Sequence, residues 1–269
     1  STERNRYLKY CFAHSVRCYV SPKISDIILM GSERIHLFDT PLLVSRNMGL
    51  AVDQRAAKRV MDILISGIGI IITSPIMLII ATAVKAYDRG PVFYFQDRLT
   101  LGGKPFKICK FRSMCVDSEK NGARLASKHD SRITPVGHVL RNLHLDELPQ
   151  LFNVFKGDMS LVGPRPERES IMLEYEKELP EFYYRLKVKA GLTGYAQVYG
   201  KYNTTPYDKL KLDLFYIENY SFLLDIKLIF MTVKIFFQKE VSEGVDDRQV
   251  NALKDSGKNA GVSENKTEE

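Results

Sequence analysis

The feature that most constrains this chain is an apolar stretch of 22 uncharged residues, from Ile63 to Val84. As one straight helix it would be about 33 Å long, enough to cross the hydrocarbon core of a bilayer. Near its middle, Ser74-Pro75 interrupts the pattern. A proline inside a helix removes a hydrogen bond and costs about 3 kcal/mol unless the chain bends there. The stretch therefore predicts a membrane-associated helix with a break at Ser74 and Pro75.

Positive charge lies at both ends of this stretch, at Lys58 and Arg59 before it and at Lys85 and Arg89 after it. Such charge is expected mainly on the cytoplasmic side of a membrane helix, and a simple span would place one pair on the other side. We therefore favour a re-entrant, hairpin-like helix over about residues 59–86, with both pairs on the cytoplasmic face. A spanning helix and the buried core helix of a soluble protein are the alternatives.

The charge of the chain is uneven. Its formal net charge is +7, and residues 241–269 contain seven acidic and four basic side chains, so the rest carries +10. A basic body suits anionic lipid headgroups or nucleotide phosphates. Nucleic acid is disfavoured, because the sequence has no helix-turn-helix, zinc-finger or RNP pattern. The four cysteines lack CxxC spacing, which disfavours a zinc site or a disulfide framework and is typical of a reducing, cytoplasmic compartment.

Composition divides the chain into three regions. Residues 1–57 contain short predicted strands at 26–30 and 35–38, with a turn at Asp39-Thr40-Pro41, which are too little to form a core. The chain opens on Ser-Thr-Glu, without an initiator Met or a signal peptide, and this predicts a fragment of a longer protein. Residues 58–240 are long enough for a full domain, whereas residues 241–269 are rich in Gly, Asn, Ser, Lys and Glu and are predicted to be disordered.

Within residues 58–240 the signals predict an α+β fold that is mainly helical. Segments 92–96 and 105–108 flank Gly102-Gly103, which predicts a small β-hairpin. Threonine caps and acidic first turns predict four helices, over about 134–141, 147–155, 166–178 and 205–218. A last helix, near 224–238, places apolar residues on one side. It is either an amphipathic helix at the membrane interface or an ordinary helix packed on the core.

An adjacent pair of acids, Asp146 and Glu147, lies at a predicted helix start. Asp is a favoured N-cap, so a purely structural role is about as probable from spacing alone as a catalytic one. The two roles are compatible, because a helix N-terminus keeps a carboxylate ionised and its N–H groups can bind phosphate oxygens. Adjacent acids can also divide the work, one attacking phosphorus and one binding Mg²⁺.

A cation-bearing loop follows this pair, in which two prolines fix the backbone around Arg165. A guanidinium with few conformations suits a forked contact with phosphate. Arg141, five residues before Asp146, and the pair Lys110 and Arg112 are further candidates for phosphate or nucleotide binding. From sequence alone, a rigid turn with a solvated arginine and ordinary charged surfaces are the alternatives for all four cations.

These motifs, in this order, resemble the bacterial sugar-transferase family. Its members are monotopic phosphoglycosyl transferases, also called polyprenyl-phosphate hexose-1-phosphate transferases. The resemblance covers about residues 57–240, and residues 20–57 are similar to the end of the Rossmann-like region of long members. The motifs are Lys58-Arg59…Asp62, Ser74-Pro75, Asp88-x-Gly90-Pro-Val92, Gln96-x-Arg98, Lys110-Phe-Arg-Ser-Met114, Leu145-Asp-Glu-Leu-Pro-Gln150, Gly157-Asp-Met-Ser-Leu-Val-Gly-Pro-Arg-Pro166 and Gly191-Leu-Thr-Gly194.

The resemblance implies a two-step transfer at the cytoplasmic face of the bacterial cytoplasmic membrane. Asp146 would attack the sugar-bearing phosphate of a UDP-sugar and expel UMP, and undecaprenyl phosphate would then accept the phosphosugar. Glu147 would assist proton transfer or bind Mg²⁺ together with Asp146, while Arg141 and Arg165 would bind phosphates. The reaction would be the first membrane step of capsule, exopolysaccharide or O-antigen synthesis. A homo-oligomer and other polysaccharide-assembly proteins are the candidate protein partners.

Two positions depart from the family pattern. Ala190 stands where the family usually has Pro before Gly-Leu-Thr-Gly, and Thr100 stands where Gly is common. Neither departure touches the acid pair, but both concern the rigidity of loops. A non-catalytic membrane anchor or scaffold for polysaccharide assembly is the alternative function. A soluble aspartyl-phosphate phosphatase is disfavoured, because the sequence has no DxD motif at a predicted strand end.

Overall fold

The computed structural model describes residues 2–45, 49–115, 130, 132–201 and 204–236. The chain divides into two compact units, Ser1–Arg46 and Asn47–Glu269. Residues 47–57, which composition grouped with the upstream region, thus belong to the second unit. The predicted tail, 241–269, lies outside the described residues.

The first unit contains two helices, α1 (Thr2–Ala13) and α2 (Ile24–Met30), and an antiparallel hairpin of β1 (Glu33–Leu37) and β2 (Thr40–Val44). The strand predicted at 26–30 was wrong, because this segment forms α2. Its first turn is capped by Asp26, whose carboxylate accepts a hydrogen bond from the Lys23 N–H at 2.8 Å. The strand predicted at 35–38 is confirmed in β1. The turn lies at Phe38 and Asp39, one residue earlier than expected.

The apolar stretch lies in one long helix, α3 (Val52–Asp88), which begins seven residues before the expected start and continues through Pro75. Pro75 has no N–H to offer the carbonyl of Ile71. The Ser74 hydroxyl donates to that carbonyl instead, at 2.8 Å, and the Thr73 hydroxyl donates to the Gly69 carbonyl at 2.7 Å. The Ser74 contact satisfies the carbonyl that Pro75 leaves without its helical partner, as an apolar surrounding requires.

Of the described residues, only α3 forms a helix long and apolar enough to cross a membrane. Only 17% of its most apolar 18-residue window is buried, whereas the core helix of a soluble protein would be mostly buried. Ile71 is 74% exposed and Leu78 is 70% exposed. This exposure is consistent with a monotopic, membrane-associated domain.

Both halves of α3 pack against the same compact unit. In the first half, buried Asp62 accepts hydrogen bonds from the Ser160 hydroxyl and the Leu161 N–H, both at 3.0 Å. In the second half, Met77, Ile80 and Val84 form a buried cluster with Phe111 and Leu140. The helix therefore lies along the body of the unit rather than projecting from it.

A hairpin follows α3, as the sequence predicts, with antiparallel strands β3 (Phe93–Leu99) and β4 (Pro105–Phe111) joined by a 3-10 turn. Gly102 and Gly103 adopt φ values of 68° and 74°, which glycine reaches without strain. Tyr94 pairs with Lys110 in this register, so the two side chains lie on the same face of the hairpin.

The rest of the second unit is mainly helical, and its short strands β5 and β6 pair in parallel. The caps predicted at Thr134 and Thr205 are confirmed, since each hydroxyl accepts from the N–H three residues on. The elements are α4 (Pro135–Asn142), a 3-10 turn (Leu145–Glu147), α5 (Gln150–Lys156), β5 (Ser160–Val162), α6 (Glu169–Glu178), a 3-10 helix (Pro180–Lys187), β6 (Gly191–Thr193), α7 (Tyr195–Tyr199), α8 (Pro206–Glu218) and α9 (Phe222–Phe236).

The last helix, α9, packs on the core along one side, as one of the two sequence interpretations predicted, and its place at a membrane interface stays a prediction. Asp225 and Leu228 are fully buried, while Phe230 is 71% exposed. Asp225 forms a buried ion pair with Lys58 of α3 at 2.5 Å and accepts a hydrogen bond from the Tyr216 hydroxyl at 2.7 Å. One side of α9 is thus packed on the body, and the other presents apolar side chains beside the exposed face of the unit.

Candidate active site

The two acids lie in a short 3-10 turn between α4 and α5. His144, immediately before the turn, has a φ of 52°, an unfavourable value for a residue with a side chain. Leu148 and Pro149 are helical and continue the turn into α5. The sequence predicted one helix from Glu147, and the observed segment differs by this 3-10 start. The turn places Asp146 and Glu147 on neighbouring sides of one helical segment.

Glu147 is bound by two cations from different elements. Lys110 Nζ of β4 and Arg165 Nη2 of the loop after β5 lie 2.7 and 2.9 Å from the same oxygen, Oε1. Burial opposes ionisation of this carboxyl, but the charges of Arg165 and Lys110 outweigh it and hold its pKa well below the usual range. Glu147 is therefore ionised at any physiological pH.

The carboxyl of Asp146 has a different environment from that of Glu147. It is buried, and it makes no hydrogen bond or ion pair with the described residues. Burial raises the pKa of its carboxyl, and the charges of Lys110 and Arg141 offset this only in part. A buried carboxyl with a shifted pKa and no structural partner is a candidate for a functional role.

The structure thus brings Lys110, Arg141 and Arg165 to the acid pair, and their role in phosphate binding stays a prediction. Arg112 has a different environment, since its guanidinium binds Asp88 at the end of α3. The side chain packs so closely on Gly90 that a Cβ there would lie 2.1 Å from Nη1. Ser74 and Pro75 lie in the middle of α3, on the apolar part of the helix.

Sequence reasoning missed a buried ion-pair network behind the Arg165 loop. Arg185 is 1% exposed and binds Asp213 at 2.8 Å and Glu167 at 3.4 Å. Burial opposes ionisation of Glu167, but Lys209 and Arg185 lower its pKa to about 2. No motif marks these residues, because their contacts join segments 18 to 42 residues apart.

The acid pair is also the candidate metal site. The described residues contain no group of three or more potential ligands. Mg²⁺ usually binds through one or two carboxylates, with waters and substrate phosphates completing its shell. Lys110 and Arg165 both occupy Oε1 of Glu147, which leaves Oε2 and the Asp146 carboxylate as oxygen ligands. The donor set therefore fits a Mg²⁺ ion that a substrate phosphate shares.

A long, exposed apolar helix, a small hairpin and an acid pair beside an arginine loop are the features that define the class of protein. The family model described as bacterial sugar transferase matches residues 53–239, and the chain belongs to this family.

Three relatives are informative. The chain is 39% identical over 235 residues to the UDP-N-acetylgalactosamine-undecaprenyl-phosphate N-acetylgalactosaminephosphotransferase of Aeromonas hydrophila, covering 86% of this chain and 55% of the relative. It is 44% and 40% identical over 208 residues to the UDP-glucose:undecaprenyl-phosphate glucose-1-phosphate transferases of Klebsiella pneumoniae and Escherichia coli K12, covering 76% of this chain and 43% of each relative. The chain thus spans about half the length of these curated relatives.

Proposed function

We propose that this protein transfers a sugar-1-phosphate from a UDP-sugar to undecaprenyl phosphate, with release of UMP, through a covalent intermediate on Asp146. The observation that carries the proposal is the contrast between the two acids, one neutralised by Lys110 and Arg165 and the other buried without a partner. The names of the relatives support the same reaction class and differ in the sugar. The product would enter the assembly of a cell-surface polysaccharide.

In the first step, an Asp146 carboxylate oxygen forms a bond to the sugar-bearing phosphorus. The bond from that phosphorus to the oxygen bridging to the uridine-bearing phosphate breaks, and UMP leaves with the electron pair. Lys110, Arg141 and Arg165 lie where negative charge accumulates on the phosphoryl oxygens, and fixed cations stabilise such charge strongly in a site with little water.

In the second step, a phosphate oxygen of undecaprenyl phosphate attacks the same phosphorus. The bond to Asp146 breaks, which regenerates the carboxylate and yields undecaprenyl-pyrophosphate-sugar. A bound Mg²⁺ would neutralise phosphate charge during both steps. Asp146 and Oε2 of Glu147 would hold it, as their free oxygens allow.

The position of α3 supports placement of the site at the cytoplasmic face of the membrane. Both of its halves pack on the body that carries Asp146, and its exposed apolar side chains would contact lipid. A re-entrant path with Pro75 at its turning point keeps Lys58 and Lys85 on one side of the bilayer. The exposed apolar side chains of α4, α5 and α9 would then lie at the interface, near the lipid acceptor.

The test is UMP release by the purified, detergent-solubilised protein with undecaprenyl phosphate, Mg²⁺ and a panel of UDP-sugars. We expect Asp146→Asn to lower the rate by at least about 1000-fold, as removal of a covalent nucleophile does. Asp97→Asn is the matched control, because Asp97 is exposed on β3 and the chemical change is the same. With UDP-sugar labelled in the sugar-bearing phosphate and undecaprenyl phosphate left out, the native protein and Asp97→Asn should retain label on the peptide that contains Asp146.

Native turnover by the Asp146→Asn protein, or label on another side chain, would contradict the nucleophile assignment. If the native protein released no UMP with any sugar of the panel, the anchor or scaffold function would be favoured instead.

A further inference from the structure

The loop that carries Arg165 is fixed through its backbone to an unusual extent. Its four consecutive carbonyls, from Pro164 to Glu167, each accept a hydrogen bond from a different residue. The donors are the Gly191 N–H to Pro164 at 2.9 Å, Arg185 Nη2 to Arg165 at 3.0 Å, Arg98 Nη1 to Pro166 at 3.1 Å and the Leu99 N–H to Glu167 at 3.0 Å.

Two of these donors are arginine side chains, of which Arg185 is buried and Arg98 is half-buried. Arg185 is held by Asp213, through Nε at 2.9 Å and Nη2 at 2.8 Å. Its Nη2 is thereby directed to the Arg165 carbonyl. Arg98 is oriented by a second hydrogen bond, which its Nη2 donates to Gln96 Oε1 at 2.5 Å. A guanidinium offers several donors in a fixed plane, so one side chain can bind a carboxylate and a carbonyl at the same time.

We propose that Arg185 is a positioning residue, which acts on the reaction through Arg165. The flanking prolines restrict the backbone of Arg165, and Arg185 fixes the carbonyl of that same residue. The Arg165 guanidinium is thereby held 2.9 Å from Glu147 and beside Asp146 before substrate arrives. A cation that needs no reorganisation stabilises developing phosphoryl charge better than a mobile one.

The proposal rests on the proposed function, and its test is a double-mutant cycle in the UMP-release assay. Arg185→Lys keeps the positive charge beside Asp213, but a lysine cannot bind Asp213 and the Arg165 carbonyl in one plane. We expect kcat/KM to fall about 10-fold for Arg185→Lys, within the range for lost transition-state hydrogen bonds. In an Arg165→Ala background the same change should alter kcat/KM by less than about 2-fold, because no guanidinium remains to be positioned.

Arg59→Lys is the matched control. Arg59 also donates to two backbone carbonyls, those of Val154 and Phe155, both at 2.8 Å, but it makes no contact with the Arg165 loop. We expect Arg59→Lys to change kcat/KM by the same factor in the native and Arg165→Ala backgrounds. Thermal unfolding of each variant separates loss of stability from loss of positioning. If Arg185→Lys does not fold, Arg98→Lys makes the same test through the Pro166 carbonyl, since Arg98 is 20% exposed and less buried.

An equal loss in both backgrounds, or no loss in either, would overturn the positioning role while leaving the transferase function intact. Absence of UMP release by the native protein would instead remove the proposed function, and the positioning role with it. A loss confined to the background that retains Arg165 supports the inference.

Discussion

At the scale of single residues, the candidate site contains two adjacent carboxyls whose pKa values are shifted in opposite directions. Two cations keep Glu147 ionised, and burial raises the pKa of Asp146. Pairs of acids whose environments separate their pKa values typically divide catalytic roles. Here Glu147 binds Lys110 and Arg165, and Asp146 is the acid that we propose as the nucleophile.

The first prediction concerns the pH dependence of transfer. It follows from the effect of the Lys110 charge on the pKa of Asp146. Asp146 must be ionised to attack, so kcat/KM falls as pH drops through its pKa. After burial, the charge of Lys110 has the largest effect on that pKa, and it lowers it. Lys110→Met should therefore move the acid limb of the kcat/KM profile to higher pH. It should also reduce kcat/KM at neutral pH by at least about 10-fold, since a cation near the phosphoryl group is lost.

Lys107→Met is the control for this prediction, because Lys107 lies on the same strand and is exposed. Its acid limb should coincide with that of the native protein. Coincident limbs for Lys110→Met and the native protein would show that Asp146 does not govern the profile.

The sequence predicted the members of the site better than their contacts. Asp146, Glu147 and Arg165 stand in motifs whose chemistry is readable from residue type and spacing. Lys110 and Arg112 looked equivalent as a basic pair, yet β4 ends at Phe111 and Arg112 binds Asp88 at the end of the membrane helix. Arg185 carried no signal at all, because a buried arginine is recognised only when its distant partner Asp213 is known.

At the scale of elements, the two departures from the family pattern are in direct contact. Thr100 follows β3 and Ala190 precedes β6, and both are buried. The Thr100 hydroxyl donates to the Asp158 carbonyl at 3.1 Å and accepts from the Ala190 N–H at 3.2 Å. The pattern with Gly and Pro at these positions would have neither the hydroxyl nor the N–H. The two positions are thus joined by a hydrogen bond, a relation that sequence position alone does not reveal.

The second prediction tests this hydrogen bond by unfolding in detergent. Thr100→Gly leaves a buried N–H and a buried carbonyl without partners, at a cost of about 1–3 kcal/mol for such groups. In an Ala190→Pro background the N–H is already absent, so the same substitution should cost less, with a coupling of about 0.5 kcal/mol or more. Strictly additive costs would mean that the hydrogen bond contributes nothing to the stability of the junction.

Element boundaries were predicted where local chemistry decides them. Thr134 and Thr205 cap their helices as expected, because a capping hydroxyl acts within one turn. The start of α6 was predicted at Pro166 and lies at Glu169, since tertiary hydrogen bonds hold the Pro166 and Glu167 carbonyls in the loop. Segment 26–30 has strand-like residues, but Asp26 caps a helical turn there. Long-range contacts explain the first error and a local cap the second.

At the scale of the whole molecule, the apolar helix α3 packs at both of its ends on the body that carries the candidate site. The buried ion pair between Lys58 and Asp225 joins the beginning of α3 to α9. Near the end of α3, Val84 packs beside Phe111 of β4, the strand that carries Lys110. A helix that crossed the bilayer would separate these two attachments by the hydrocarbon core, about 30 Å. One rigid body cannot pack on both ends from opposite sides of the membrane. The helix that we propose, which enters and leaves on one side, is compatible with both attachments.

The last prediction tests this topology by thiol labelling in oriented membrane vesicles. The four native cysteines are replaced, and single cysteines are introduced at Asp53 and Tyr87, which are exposed near the two ends of α3, and at Leu78 within its apolar part. A membrane-impermeant thiol reagent should label Asp53→Cys and Tyr87→Cys in inside-out vesicles only. Leu78→Cys should resist labelling in both orientations until detergent is added, because its side chain would lie in lipid.

Labelling of the two end positions from opposite sides would establish a spanning helix, and the packing of both ends on one body would then require a different explanation. Labelling of Leu78→Cys without detergent would place this face of α3 in water. It would exclude both the re-entrant and the spanning arrangement of the helix.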